Sequence, residues 1–275
     1  MQFRNAHLFV VSLFLFAACG ERPPSDSATE SPATAAAVSQ SEEAIDEANM
    51  DARTLTAQLE ARKAQFVEMA PPERILAVES AVAIVTESNI LDQAKSKGDK
   101  APDFTLKNAV GDSVNLYMEL AKGPVVLTWY RGSWCPYCNI QLHDYQKSLA
   151  AIRAAGAQLI AVSPELPDSA LTWQEKNELE FIVLSDIGND VAREYGIVYR
   201  IPDTIAAGYV QGGRTDLTKF NGDDSLELPL PVTYIIGMDG TIEYSFVDAD
   251  YRKRAETSEV VDFVVRLANS ANPAH

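Results

Sequence analysis

Val125–Asn139 reads VVLTWYRGSWCPYCN, and the reading of this stretch decides the fold. An apolar, β-branched run ends in aromatics and gives way within one turn to two cysteines three positions apart, with a proline between them. A short apolar run bounded by turn formers is expected to be a buried strand. Pro136 suits the first helical position because it has no N–H to lose. Cys135 therefore falls at a helix N-terminus, where unpaired N–H groups and the positive end of the macrodipole favour thiolate over thiol. Cys138 falls one turn inward, near enough to close a small disulfide ring. A CxxC placed after a strand and before a helix is the context of a redox pair.

Two other chemistries compete for the same cysteines. A structural zinc site wants about four Cys or His ligands, yet beyond this pair the chain offers only His7, His143 and His275, with Cys19 near the start. A structural disulfide across so short a loop would constrain the unfolded chain little and would be easily reduced. His143 lies five residues after Cys138, roughly on the far side of the helix, and is not read as a base.

The chain has 275 residues and a net charge of −16. Such an excess of carboxylates opposes phosphate backbones, so no nucleic acid partner is expected. Residues 1–19, MQFRNAHLFVVSLFLFAAC, carry Arg4 and an apolar run from Leu8 to Ala18 that is short for a membrane span, which predicts a signal peptide. The ending FAAC resembles the lipobox of bacterial lipoproteins, with Phe16 in place of the usual leucine. That resemblance implies lipidation at Cys19, an N-terminal membrane anchor and a bacterial cell-envelope, periplasmic location. Residues 20–40 are rich in Pro, Ser, Ala and Thr without aromatics and predict a flexible tether.

Residues 41–97 predict a helical N-terminal extension. One helix starts near Ser41 and places Leu55, Leu59, Arg62 and Phe66 along one face; a second has Pro72 in its first turn and Ile75, Val78, Val82 and Val85 on one side. From residue 98 to 270 strands and helices alternate, which predicts an α/β domain with helices on both faces of a sheet. APDFTL and SVNLY open it as short strands; PVVLTWY, AQLIAVS and FIVLSD follow as buried strands with helices over Asn139–Ala155, Ser169–Leu179 and Asn189–Tyr195 between or after them. PVTYIIG and TIEYSFV form a hairpin, and Glu256–Leu267 closes as a helix. Tyr199–Leu228 is long for a connection and Gly-rich, which predicts a lid or specificity loop near the site. Pro231, just before a strand, is a candidate cis peptide.

Five ordered segments, GDKAPDFTL, YRGSWCPYC, LIAVSPE, FIVLSDIGNDVAREYGI and LPVTYIIGMDGTIEY, together resemble the peroxiredoxin-like branch of the thioredoxin fold, related to alkyl hydroperoxide reductase and thiol peroxidase. The resemblance implies a central mixed sheet flanked by helices, and it sets Pro231 beside Cys135. It also exposes departures. The family surrounds its peroxidatic cysteine with PxxxTxxC and a distant arginine. In ungapped register from Tyr130 that cysteine falls on Cys138, the threonine on Cys135 and the proline on Arg131, while the arginine's strand position holds Pro231. Arg131 could supply the missing cation, or it could be a surface arginine packed on Tyr130 or Trp134. Trp134 and Tyr137 flank the cysteines as an apolar wall or as ordinary turn packing.

The expected activity is that of a thioredoxin-dependent hydroperoxide reductase. One thiolate of the Cys135/Cys138 dithiol attacks a hydroperoxide, and a thioredoxin-like dithiol donor restores the pair. The chemistry calls for no metal, flavin or haem. A thiol–disulfide oxidoreductase acting on protein disulfides of exported proteins, and a non-catalytic redox-sensing binding protein, are the alternatives. Helix-terminus logic chooses Cys135 as the attacking sulfur, whereas family register chooses Cys138.

Overall fold

A computed structural model describes residues 54–176, 178–210 and 213–271. The signal segment, Cys19, the tether and the expected helix start at Ser41 lie outside the described residues. Two helices come first, α1 (Leu55–Met69) and α2 (Pro72–Glu87). Thr54 caps α1 by accepting a hydrogen bond from Ala57 N at 3.2 Å, and Pro71 and Pro72 separate the two helices. Leu55 and Leu59 are buried on one side of α1 and Val85 on α2, as the apolar spacing predicts.

The sheet has seven strands: β1 (Thr105–Asn108), β2 (Ser113–Asn115), β3 (Val125–Trp129), β4 (Gln158–Ser163), β5 (Ile182–Ser185), β8 (Thr233–Ile236) and β9 (Ile242–Phe246). Their order is β2-β1-β5-β4-β3-β8-β9. β3, β4 and β5 run parallel, and β8, β9, β1 and β2 add antiparallel flanks. Strand β3 lies inside the sheet and is buried at every residue, which is why its sequence is apolar at every position but Thr128 rather than alternating. The remaining strands, β6 (Val198–Arg200) and β7 (Glu227–Pro229), form a separate antiparallel ribbon.

Helices cover both faces. Pro136–Ala154 (α4) packs with α1 and with the closing helix Thr257–Ala271 (α9) on one face, burying Leu142, Tyr145, Leu149 and Ile152 together with Leu55, Leu59, Val260 and Val264. The opposite face holds Leu116, Leu120, Trp129, Tyr195 and Tyr234, with Val85 and Ile90 over them. Short helices complete the chain: α3 (Leu116–Leu120), α5 (Pro167–Lys176), α6 (Asp190–Glu194), α7 (Asp203–Ala206) and α8 (Leu217–Asn221).

Several boundaries differ from the sequence expectation. α4 begins three residues earlier than Asn139 because Pro136 occupies its first position. The second opening strand stops at Asn115, whose side chain accepts from Met118 N at 2.9 Å and turns the next residues into α3. Tyr199–Leu228 is less a loop than a small insert: its ends pair as β6 and β7, and it carries α7 and α8.

The expected cis peptide at Pro231 is not formed; no peptide bond among the described residues is cis. The chain passes straight from β7 into β8, with Leu230 N donating to Ile197 O and Trp129 N donating to Val232 O. No reversal is needed there, so nothing offsets the ordinary preference for trans.

Candidate active site

β3 delivers the chain to the edge of α4 through the turn Tyr130–Cys135. Gly132 has φ +145°, and a Cβ there would lie 2.3 Å from the Trp134 indole nitrogen, so only glycine lets the tryptophan fold back over the turn. Glu165, at the end of β4, is buried and holds the same turn with two bonds: Ser133 N donates to one oxygen at 2.9 Å and Ser133 Oγ to the other at 2.7 Å. Burial lifts the Glu165 carboxyl to about 6 against those two bonds, which pull it down. Asn139 Nδ2 closes the turn from the helix side by donating to Ser133 O at 2.9 Å.

Cys135 is the N-cap of α4 and Pro136 its first residue. Both cysteines are free thiols and both are buried. Burial pushes the Cys135 thiol up, but a hydrogen bond from Cys138 and the charges of Arg131 and Arg254 outweigh it and bring the group down to about 5. Cys138 moves the other way: burial, its hydrogen bond to Cys135 and the neighbouring negative sulfur all hold it protonated. The pair is thus polarised, with a thiolate at the helix mouth and a thiol behind it.

Two arginines serve the two sulfurs. Arg131 Nη1 donates to Cys135 Sγ at 3.9 Å, and its backbone N donates to Cys138 Sγ at 3.5 Å. The guanidinium is only 2% exposed and is caged by rings, 4.1 Å from the Tyr251 centroid, 5.0 Å from Trp134 and 5.9 Å from Tyr209. Its Nη2 also donates to Tyr209 Oη at 3.3 Å. Arg131 is therefore no surface residue: it packs on Trp134 and faces the thiolate at once. The second cation, Arg254, donates from Nη2 to Cys138 Sγ at 3.5 Å and from Nε to Gln141 Oε1 at 2.8 Å, while Nη1 is fixed by the carbonyls of Tyr251 and Lys253.

Trp134 and Tyr137 both line a cavity of about 510 Å³ over Cys135. Trp134 meets Tyr209 edge-on at 5.6 Å and Tyr137 meets Tyr251 edge-on at 5.7 Å, so each packs against a ring from a distant segment. Cys135 and Pro136 open onto this cavity; Cys138 does not. Tyr209 brings the Tyr199–Leu228 insert over the site, where the sequence expectation puts it. Pro231 is buried between β7 and β8, and His143 is exposed on the outer side of α4.

Arg254, Glu165, Tyr209 and Tyr251 do not stand out in the sequence. Glu165 ends the LIAVSPE segment, and a carboxylate two residues past an apolar strand is the one signal it offers. Among the described residues no group of three or more His, Cys, Asp or Glu side chains could hold a metal ion. Nor is any described helix long and apolar enough to cross a membrane.

The AhpC/TSA family matches residues 97–245, slightly more than half of the chain. A chloroplastic peroxiredoxin Q of Gentiana triflora is 36% identical over 102 residues, covering 37% of this chain and 46% of that protein. A Mycobacterium tuberculosis protein named as a peroxiredoxin is 32% identical over 99 residues, covering 36% of this chain and 62% of that one. The match thus spans about half the length of these relatives. Among solved structures, a peroxiredoxin 6 of Arenicola marina superposes with a TM-score of 0.52 at 18% identity, over 65% of this chain and 76% of that one, and so shares its fold.

Proposed function

The chain belongs to the AhpC/TSA family, and on that premise we propose that it is a thiol peroxidase whose Cys135 thiolate reduces hydroperoxides. One observation carries the reading: a thiolate brought down to about 5 lies at a helix mouth beside a caged guanidinium and opens onto a cavity. The thiolate sulfur attacks the terminal oxygen of ROOH; the O–O bond breaks, the leaving alkoxide takes a proton, and Cys135 becomes a sulfenic acid. Arg131 donates toward the sulfur and stabilises negative charge as it passes to the leaving oxygen. The Cys138 thiol then attacks the sulfenic sulfur, releasing water and closing the Cys135–Cys138 disulfide. An external dithiol of thioredoxin type reduces that disulfide by exchange and is itself oxidised.

Arg254 acts one step later than Arg131. It faces Cys138 rather than the cavity, so it favours the thiolate of Cys138 when that sulfur must attack. Export and lipid anchoring at Cys19 belong to the same reading and rest on the apolar run Leu8–Ala18 and the FAAC ending.

The test is to mix the reduced protein with cumene hydroperoxide and, separately, with a protein disulfide, and to count free thiols in each. Stoichiometric loss of two thiols with the hydroperoxide, followed by turnover with thioredoxin and its reductase, is the expected result. Thiol loss with the disulfide alone would instead establish the oxidoreductase reading. Mapping limited iodoacetamide alkylation near neutral pH assigns the attacking sulfur, and predominant labelling at Cys138 would exchange the roles of the two cysteines.

A further inference from the structure

The cavity over Cys135 has walls that hydrogen peroxide does not need. Its volume, about 510 Å³, falls in the range of roughly 300–1,000 Å³ typical of pockets for organic ligands. Phe66, Val78, Ile205, Trp134, Tyr209 and Tyr251 give it an apolar side. Hydrogen peroxide would bury no apolar surface there.

The charge pattern is sharper still. The chain carries 39 acidic residues against 23 basic ones. Yet the cavity is lined by Arg62, Arg74, Arg131, Arg214 and Arg252, and by no aspartate or glutamate. Two of these arginines are already committed. Arg131 faces the Cys135 sulfur, and Arg252 is neutralised by Glu79 and Asp250. The other three pair with no carboxylate among the described residues. Arg62 donates to Gln65 at 3.2 Å and Arg74 lies over the Phe66 ring at 5.6 Å, contacts that orient a guanidinium without cancelling its charge. Arg62 and Arg74 come from α1 and α2, both of which precede the family-matched residues 97–245, and Arg214 comes from the insert between β6 and β7.

We propose that this cavity selects an organic hydroperoxide with an apolar body and a carboxylate, whose carboxylate is held by Arg62, Arg74 and Arg214 while its peroxide reaches Cys135. The proposal rests on the peroxidase reading. It makes the N-terminal helices a specificity wall added to the family domain. A guanidinium fork matches a carboxylate with two parallel hydrogen bonds, and the apolar side gains from the hydrocarbon body.

The test compares three hydroperoxides on the full chain with a saturating dithiol donor: an eighteen-carbon unsaturated fatty acid hydroperoxide, its methyl ester, and tert-butyl hydroperoxide. In the wild-type protein kcat/KM for the acid should exceed that for the ester by about tenfold or more, as loss of charge-assisted hydrogen bonds predicts. In Arg62→Gln/Arg74→Gln the acid-to-ester ratio should fall towards one, and Arg62→Lys/Arg74→Lys should restore part of it. Because the ratio is taken within one protein, a general loss of fold cannot imitate the result. Equal use of acid and ester by the wild-type chain would overturn the proposal. So would variants that raise KM for the donor and leave the acid-to-ester ratio intact, since the arginines would then serve an acidic donor surface. If no hydroperoxide turns over, the peroxidase reading falls, and calorimetric titration with the corresponding hydroxy fatty acid and its methyl ester decides the pocket separately: tighter binding of the acid, lost in the double glutamine variant, supports it, and indifference refutes it.

Discussion

Replacing Arg131 with methionine tests whether a guanidinium buried among aromatic rings keeps Cys135 ionised. Methionine keeps an unbranched apolar stem against Tyr251 and Trp134 but removes the charge. At the observed 3.9 Å between Nη1 and Sγ, the attraction is about 4 kcal/mol for an effective dielectric of about 20. At about 1.36 kcal/mol per pH unit, that should move the Cys135 midpoint from about 5 to about 8. The assay is thiolate absorbance at 240 nm, or the rate of iodoacetamide alkylation, followed from pH 4 to pH 9. Cys138 is kept in place, because its hydrogen bond also lowers Cys135, and the label is mapped to the Cys135 position so that one sulfur is read. At pH 6 the variant should alkylate about a hundredfold more slowly, because only about one thiol in a hundred would be ionised. Arg131→Lys, which keeps a charge but not the planar stacking on Tyr251, should give an intermediate midpoint. A midpoint in Arg131→Met within half a unit of the parent would refute the electrostatic assignment and leave Arg131 a packing residue.

Further outcomes follow from the same geometry. Cys138→Ser should consume one thiol per hydroperoxide in a single turnover yet fail to recycle, visible as a burst without a steady state. Gly132→Ala places a methyl 2.3 Å from the Trp134 nitrogen at a positive φ, and should lower unfolding free energy by about 1–3 kcal/mol in urea while shifting Trp134 fluorescence. Leu59→Ala removes a buried side chain between α1 and α4 and should destabilise the protein by about 2–5 kcal/mol by the same measurement.

What the sequence reveals and what it hides divide along one physical line. The strand β3, the helix start at Pro136 and the cysteine at its mouth are local: periodicity, proline and CxxC spacing dictate them within fifteen residues. The face of α1 is legible through Leu55 and Leu59, whereas on α2 only Val85 of the four apolar positions in register is buried and Ile75, Val78 and Val82 are half-buried. The second cation is not legible, since Arg254 reaches Cys138 across 116 residues and nothing in YRKRAE distinguishes it from a solvated arginine. Tyr209 and Tyr251 converge on Arg131 from segments without a pattern of their own. Pro231 misleads for a related reason: a proline before a strand is compatible with either isomer, and only the direct run from β7 to β8 decides between them.

The polarised pair also links redox state to stability. Cys135 sits at about 5 in the folded, reduced protein against an ordinary value of 9.0, so between those limits the unfolded chain binds the extra proton and stability rises with pH. The contribution is full above the unfolded value and is lost as pH falls through about 5. Glu165 works in the opposite sense. Its raised value, about 6 from 4.5, makes the folded state bind the extra proton below that point, so the stability it contributes at low pH is lost as pH rises through about 6. At pH 6 the folded carboxylate is half titrated and it is ionised by about pH 7; apart from the small push that Cys135 gives it, this swing is common to the reduced and oxidised forms, so the difference between them follows the thiolate. From pH 6 to pH 8 the reduced protein should therefore gain about 2.7 kcal/mol relative to the oxidised protein, which has no thiol to ionise. Urea unfolding of both forms at pH 6, 7 and 8 reads this difference directly, with groups that titrate alike in the two forms cancelling. The disulfide couple must follow the same cycle: with Cys135 already ionised, reduction takes up one proton per two electrons, and the midpoint potential should fall by about 30 mV per pH unit rather than about 59. Parallel stability curves, or the steeper potential slope, would mean that both cysteines are protonated thiols at neutral pH, and the nucleophile assigned to Cys135 would be lost with them.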